Sequence, residues 1–451
     1  MSDTAAPPET EAGDRLTAGR GDALRGSIRV PGDKSISHRA LILAGLAEGE
    51  SRIDGLLEGQ DVLDTAAAVR ALGAAVERHD DHWLVEGAEW RSPDGPIDCG
   101  NSGTGARLLM GAASGFPIEA TFTGDESLRG RPMGRVVEPL RQMGARIEGG
   151  AGDRLPITVH GGSLHGISHV NEKASAQVKS AILLAGLRAD GPVEVVEPRP
   201  SRDHSEIMLK AFGCEIETAP LGSGRVVRLG RRRALRGQPV QVPGDPSSAA
   251  FPLVAALIVP GSEVTVRDML LNPLRTGLLT TLGEMGAAIS IANLREVGGE
   301  PVGDVTARAS TLRGIEVGPA RAPSMIDEYP ILAVAAAFAD GETKLHGLGE
   351  LRVKESDRLE AILAGLSACG VDAEARGDTI EIRGSGRRPA GGGRVSTHGD
   401  HRIAMSFLVM GLAAQDPVEV DRAGMIATSF PGFAELMRSI GAGIESCEAA
   451  A

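Results

Sequence analysis

The chain has 451 residues, 42% of them hydrophobic and 24% charged, with a formal net charge of −13, 2% aromatic residues and 61 glycines. That length exceeds what one hydrophobic core usually serves and implies two or three domains, and the composition is globular, neither disordered nor membrane-like. So few rings and so much negative charge argue against a base-stacking platform or a nucleic-acid backbone as partner, yet leave room for a small basic pocket in an acidic molecule.

Residues 1–22 are polar, rich in Ala, Pro and Glu, and lack the apolar stretch of a secretory signal, so they read as a disordered tail. The longest apolar runs, such as 331–339, fall far short of the ~20 residues that span a bilayer, and no membrane helix is expected. Cys99, Cys214, Cys369 and Cys447 form no CxxC pair and have no zinc spacing. They read as reduced thiols of a cytoplasmic protein, with no metal site.

From residue 23 onward one unit recurs six times. An amphipathic segment ends in apolar-Gly-small at Gly73, Gly144, Gly213, Gly286, Gly370 and Gly441, each time before a short strand. Each copy also holds an earlier helix of small and aliphatic residues closed by a breaker, as in ALILAGLAEGES, RLLMGAASGFP and ILAVAAAFADGE. The unit predicts strand, buried helix, strand, second helix, glycine cap and strand pair. Copies one and four open alike, VPGDKSISHRALILAGL from Val30 and VPGDPSSAAFPLVAAL from Val242. The six units therefore sort into two sets of three, giving two similar α/β lobes.

A plain solenoid would carry interchangeable polar residues in every copy. Here the GD turn of the first copy is followed by Lys34, Ser35 and Arg39 and that of the fourth by Pro246, Ser247 and Ala250; one turn is equipped to bind and the other connects. GDKS at 32–35 lacks the two glycines of a P-loop, so that chemistry is rejected, but a helix start carrying Lys, Ser and free amides suits an anion. GNSGTGAR (100–107), KASAQVK (173–179) and STHGDHR (396–402) put small polar residues and a cation at equivalent junctions. Any one of them is explained as well by a helix cap; together they would line one cleft. RGRPMGR (129–135), SMIDEYP (324–330) and LRVKESDR (351–358) are denser in charge, and surface ion pairing accounts for such a run as readily as catalysis does. Asp327 differs, because it opens a very apolar helix and a carboxylate near the interior needs a partner or a task.

GDKSISHRA, NSGTGAR, RPMGR, SAQVKSA, GDPSS, IDEYP, LRVKESDRL, DHRIAMS and SFPGF occur in this order, and over residues 24–444 the chain resembles the 3-phosphoshikimate 1-carboxyvinyltransferase (enolpyruvylshikimate-phosphate synthase) family. The resemblance implies the enolpyruvyl transferase fold, an inside-out α/β barrel of two lobes with three βαβαββ units each. One lobe would comprise 23–32 plus 246–451 and the other 33–245, with the active site between them. It also implies transfer of the carboxyvinyl group of phosphoenolpyruvate to the 5-hydroxyl of shikimate 3-phosphate, with release of phosphate, by a cytoplasmic monomer that needs neither metal nor organic cofactor. Two phosphates at about −1.5 to −2 each and two carboxylates must then be met by converging cations.

By the same resemblance Lys34, Ser35, Arg39, Ser175, Ala176, Gln177, Arg202, Asp327 and Lys354 hold shikimate 3-phosphate, while Lys34, Gly103, Arg131, Gln177, Arg358 and Arg402 hold phosphoenolpyruvate. Asp327 is implied as the base at the 5-hydroxyl and Glu355 as the proton donor to the methylene, assisted by Lys34; that role requires surroundings that favour protonated Glu355. Glyphosate, the family's inhibitor, would fit beside Gly103, which lacks a crowding methyl. Three positions depart from the family pattern: Thr428 stands where a Lys is common, Ala176 where a second Ser is common, and Leu108 where Pro often follows the Arg. The sister transferase acting on UDP-N-acetylglucosamine usually has a Cys where this chain has Glu126 and a Lys-Asn pair where it has Lys34 and Ser35. A catalytically inert clamp is a third reading, opposed by the intact carboxylates and arginines.

Overall fold

The computed structural model describes residues 14–447. These residues build six four-stranded sheets with one shared topology: a first strand runs parallel to the second, the second pairs antiparallel with the fourth, and the fourth with the third. In the sheet of Ile97–Asp98, Glu119–Thr123, Arg146–Gly149 and Ile157–His160, for example, Ile97 pairs with Phe122, Ala120 with Val159 and Ile147 with Val159.

The glycine caps are where the repeat places them. Gly73, Gly144, Gly213, Gly286, Gly370 and Gly441 all have φ between 73° and 119°, a region that costs a residue with a Cβ. In each copy the next residue donates its N–H back to the carbonyl five positions earlier, as Cys214 does to Leu209 at 2.9 Å and Val371 to Leu366 at 2.9 Å. Six Schellman closures thus turn six helices into six hairpins.

Two hydrophobic cores form, one from residues 18–30 and 249–444, the other from 36–242 with Leu270. Each is threaded by three apolar helices: Lys34–Leu46, Gly103–Ser114 and Ala176–Gly186 in one, Pro246–Ile258, Tyr329–Ala337 and His401–Gly411 in the other. Their apolar residues are spread over every face, so they lie inside. Small residues let them approach; a Cβ on Gly111 would sit 2.5 Å from the Ala181 carbonyl oxygen of the neighbouring helix.

Two strands depart from the order read along the chain. Arg25–Ile28, which precedes the first helix, joins the fourth unit beside Glu263–Leu270, and the first unit takes its edge strand from Val240–Gln241 instead. The chain therefore crosses between cores twice at adjacent points, with Gly32 bridged to Gly244 and Asp245 N–H donating to the Pro31 carbonyl at 2.9 Å.

The expected tail also needs correction. Leu16–Gly19 is a strand, inserted between Val418–Val420 and Gly443–Ser446 as the fourth strand of the last unit, with Ala18 fully buried. Its four residues carry too little apolar pattern to be recognised alone; their partners lie some 400 positions away. Residues 1–13 of that expected tail lie outside the described residues.

Candidate active site

A cleft of about 640 Å³ separates the lobes. The buried helices of the 36–242 core leave it their first turns: Lys34 and Ser35, Thr104 and Arg107, and Ala176 and Gln177 are partly exposed N-terminal residues of helices that, apart from Leu46, are otherwise buried. Ser102 and Ser175 cap two of them, accepting from Gly105 N–H at 3.0 Å and Val178 N–H at 3.4 Å, and Asp33 caps the first, accepting from Ile36 N–H at 2.8 Å. Helix starts supply free amides and partial positive charge. The other lobe contributes mainly loops, with Asp327 just before its second apolar helix and Lys354 and Glu355 after the turn Gly349–Val353.

Lys34, Ser35, Arg39, Gly103, Arg131, Ser175, Ala176, Gln177, Arg202, Asp327, Lys354, Glu355 and Arg402 all line this one cleft. Arg358 stands just behind, fully buried. Its Nε lies 2.7 Å from Asp400 Oδ2, its Nη1 3.3 Å from Asp327 Oδ1 and its Nη2 2.5 Å from Glu355 Oε2.

Asp327 is the hub of one cluster of cations in the cleft. Arg202, from the facing lobe, reaches its Oδ2 at 2.7 Å, and Lys354 reaches Oδ1 at 3.2 Å. Burial alone would raise its pKa, but Lys354, Arg202, Arg402 and Arg358 hold it well below the usual carboxylate range. Glu355 is held in the same way. Burial favours its protonated form, yet Arg358 and then Arg131, whose Nη1 is 3.8 Å away, hold it well below the ordinary value. Their cationic neighbours thus favour the ionised form of both carboxylates.

Arg131 is fixed by Asn101 Oδ1 at 2.7 Å and Ser127 Oγ at 3.2 Å. Gln177 donates to Thr104 Oγ1 at 2.9 Å and accepts from Arg107 at 3.1 Å. Arg39 is mostly committed inward, donating to Ser205 Oγ, the Ser35 carbonyl and Ser180 Oγ at 2.7 to 2.8 Å, so that two of its five N–H donors remain. Thr428 Oγ1 donates to the Met425 carbonyl and lies 3.4 Å from His401 Nδ1. Burial and the nearby Lys34 push His401 down to about 3, so it adds no cation where Lys is common in the family.

Sequence reasoning named no role for Asp61 or Arg107. Asp61 anchors Lys34 Nζ at 3.0 Å, and nothing in its helix start distinguishes it. Arg107 was visible as the last residue of GNSGTGAR. Arg135 and Glu350 close the rim across the lobes at 2.8 Å. Among the described residues no group of His, Cys, Asp or Glu is placed to hold a metal, and no helix is long and apolar enough to cross a membrane.

Comparison with known proteins agrees with this geometry. The family model described as EPSP synthase (3-phosphoshikimate 1-carboxyvinyltransferase) matches residues 19–437. The chain belongs to the EPSP synthase family. A 3-phosphoshikimate 1-carboxyvinyltransferase of Phenylobacterium zucineum (strain HLK1) is 60% identical over 431 residues, 95% of each chain. That of Caulobacter vibrioides (strain NA1000 / CB15N) is 60% identical over 433 residues, 95% of this chain and 98% of the relative. Among solved structures, EPSP synthase from Acinetobacter baumannii superposes with a TM-score of 0.84 at 41% identity, covering 96% of this chain and 99% of that one. The two-lobed architecture of six repeats is thus the EPSP synthase fold.

Proposed function

We propose that this chain transfers the carboxyvinyl group of phosphoenolpyruvate to the 5-hydroxyl of shikimate 3-phosphate, releasing phosphate, as a cytoplasmic monomeric enzyme of aromatic amino-acid biosynthesis. The observation that carries the reading is the meeting of Lys34, Arg131, Arg358 and Arg402, drawn from distant segments, around Asp327 and Glu355. Cations of that number suit two anionic metabolites, and Arg forks bind carboxylate or phosphate bidentately.

Shikimate 3-phosphate is assigned to Ser35, Arg39, Ser175, Ala176, Gln177, Arg202 and Lys354, with its 5-hydroxyl at Asp327. Phosphoenolpyruvate is assigned to Gly103, Arg131, Gln177, Arg358 and Arg402, with Lys34 touching both. Ionised Asp327 takes the hydroxyl proton as the oxygen bonds to C2 of phosphoenolpyruvate, and Glu355 delivers a proton to the methylene carbon. Glu355 can hold that proton once the incoming anions engage Arg131 and Arg358, because burial then outweighs the cations that kept it ionised. In the second step the methyl group returns a proton and the carbon–oxygen bond to phosphate breaks. Lys34, Arg131 and Arg358 stabilise the charge that moves. The lobes, 23–32 with 246–451 and 33–245, would close on the paired crossings.

Phosphate release from purified protein given phosphoenolpyruvate with either shikimate 3-phosphate or UDP-N-acetylglucosamine tests the reading. Release with the first acceptor alone is expected. Release only with the nucleotide sugar would mark the sister reaction, and release with neither would leave an inert clamp.

A further inference from the structure

Beneath the shikimate 3-phosphate side lies a buried polar knot outside the cleft lining. Its centre is Glu197, fully buried at the end of the strand Ala189–Glu197. Oε1 accepts from Asn171 Nδ2 at 3.1 Å and Ser201 Oγ at 2.5 Å, and Oε2 accepts from Lys179 Nζ at 3.0 Å and Arg225 Nε at 2.7 Å. Four donors from four segments occupy the carboxylate's acceptor sites.

Two of those segments run directly into the cleft. Asn171 clamps the following turn, donating from Nδ2 to the Ser175 carbonyl at 3.0 Å and accepting at Oδ1 from Ser175 N–H at 3.2 Å. That clamp holds Ala174 at φ 50°, a strained position for a residue with a Cβ, and sets where Ser175, Ala176 and Gln177 begin their helix. Ser201 immediately precedes Arg202, the cation that crosses to Asp327. Arg225 binds the Ser201 carbonyl as well, and Lys179 shares its charge between Glu197 and Glu206 at 2.7 Å.

We infer that Glu197 and Asn171 are positioning residues for the acceptor substrate, registering the 171–177 turn and the 201–202 loop against each other so that Ser175, Gln177 and Arg202 converge on one phosphorylated ring. The inference rests on the assignment of that side of the cleft to shikimate 3-phosphate. An anchored carboxylate here does for a phosphate site what outer partners do for metal ligands: it fixes the groups that touch the ligand. Glutamine keeps the shape of glutamate but must turn its amide N–H group toward donors on one side, either Lys179 and Arg225 or Asn171 and Ser201. Asn171→Ala removes the clamp and leaves the buried charges paired.

The test is calorimetric binding of shikimate 3-phosphate together with steady-state kinetics for Glu197→Gln, Asn171→Ala and the double variant. Expected are about tenfold weaker binding and a raised KM for shikimate 3-phosphate in each single variant, a much smaller change in KM for phosphoenolpyruvate, and a double variant no worse than the poorer single one. Should Glu197→Gln fail to fold, Asn171→Ala alone decides. Unchanged affinity in folded Asn171→Ala, or equal losses for both substrates, overturns the inference. If the natural protein binds no shikimate 3-phosphate at all, the functional assignment fails instead, and the two failures are told apart.

Discussion

The two crossings between lobes have the same backbone and opposite uses. At 32–35 the helix start sends Lys34 into the cleft with Asp61 as its anchor; at 244–247 the same turn carries Pro246 and Ser247, both buried. The caps are tied to one another. Arg275 reaches Asp33 Oδ2 at 2.8 Å and Asp245 Oδ1 at 3.1 Å, so one buried guanidinium serves the first turn of a helix in each lobe. Repetition fixed the frame here, and only the side chains beyond the cap were free to become a site on one side and a support on the other.

Breaking the binding half of the pair should cost most. Lys34→Met is expected to lower kcat by about 10³-fold with the fold intact, whereas Pro246→Ala should cost under about 1 kcal/mol in stability and leave kcat unchanged; comparable kinetic losses in the two would erase the distinction. Next comes the shared tie. Arg275→Met strands two carboxylates in the interior, where burial and neighbouring Asp33 already push Asp245 up, while Arg275 draws Asp33 down to about 2 against its burial. A loss of about 3 to 5 kcal/mol in urea unfolding is expected, and a loss under 1 kcal/mol would show the tie to be dispensable.

The lobes also share a response to acid. His38 and His401 lie near the starts of apolar helices, one per lobe, and burial holds both rings neutral in the folded chain. The unfolded chain titrates them near 6.5, so it binds the extra protons and acid favours it; each histidine should remove about 1.4 kcal/mol per pH unit below that value, His401 until about pH 3. Urea midpoints should be level above pH 7 and fall below 6.5, with His38→Gln and His401→Gln each relieving part of the slope. A level curve down to pH 4.5 contradicts this, and relief by only one variant would mean that the lobes unfold separately.

The smallest expected effect is at Gly103, where an added Cβ would lie 2.7 Å from Arg107 Nη1 and 3.2 Å from Arg131 Nη1. Gly103→Ala should raise the KM for phosphoenolpyruvate by about tenfold and weaken glyphosate inhibition without a change in stability. Equal glyphosate potency on both chains would refute the steric argument.

The caps and buried helices were readable because each depends on a few adjacent residues: a glycine after an apolar turn, or an unbroken run of small aliphatic side chains. Pairing across the chain was not. Leu16–Gly19 and Arg25–Ile28 take partners whose positions are set by everything folded between them. In the site, the motifs located the cleft's cations but not their partners, so the ionised state of Glu355, the inward commitment of Arg39 and the tie at Arg275 emerged only from three-dimensional proximity.

The strand at Leu16–Gly19 constrains how the molecule is made. It leaves the ribosome some 400 residues before the strands that flank it, Val418–Val420 and Gly443–Ser446. At about 5 to 20 residues per second, its backbone donors wait on the order of 20 to 80 seconds for their partners, while the core formed by residues 36–242 and Leu270 is nearly contiguous in the chain and can complete itself during synthesis.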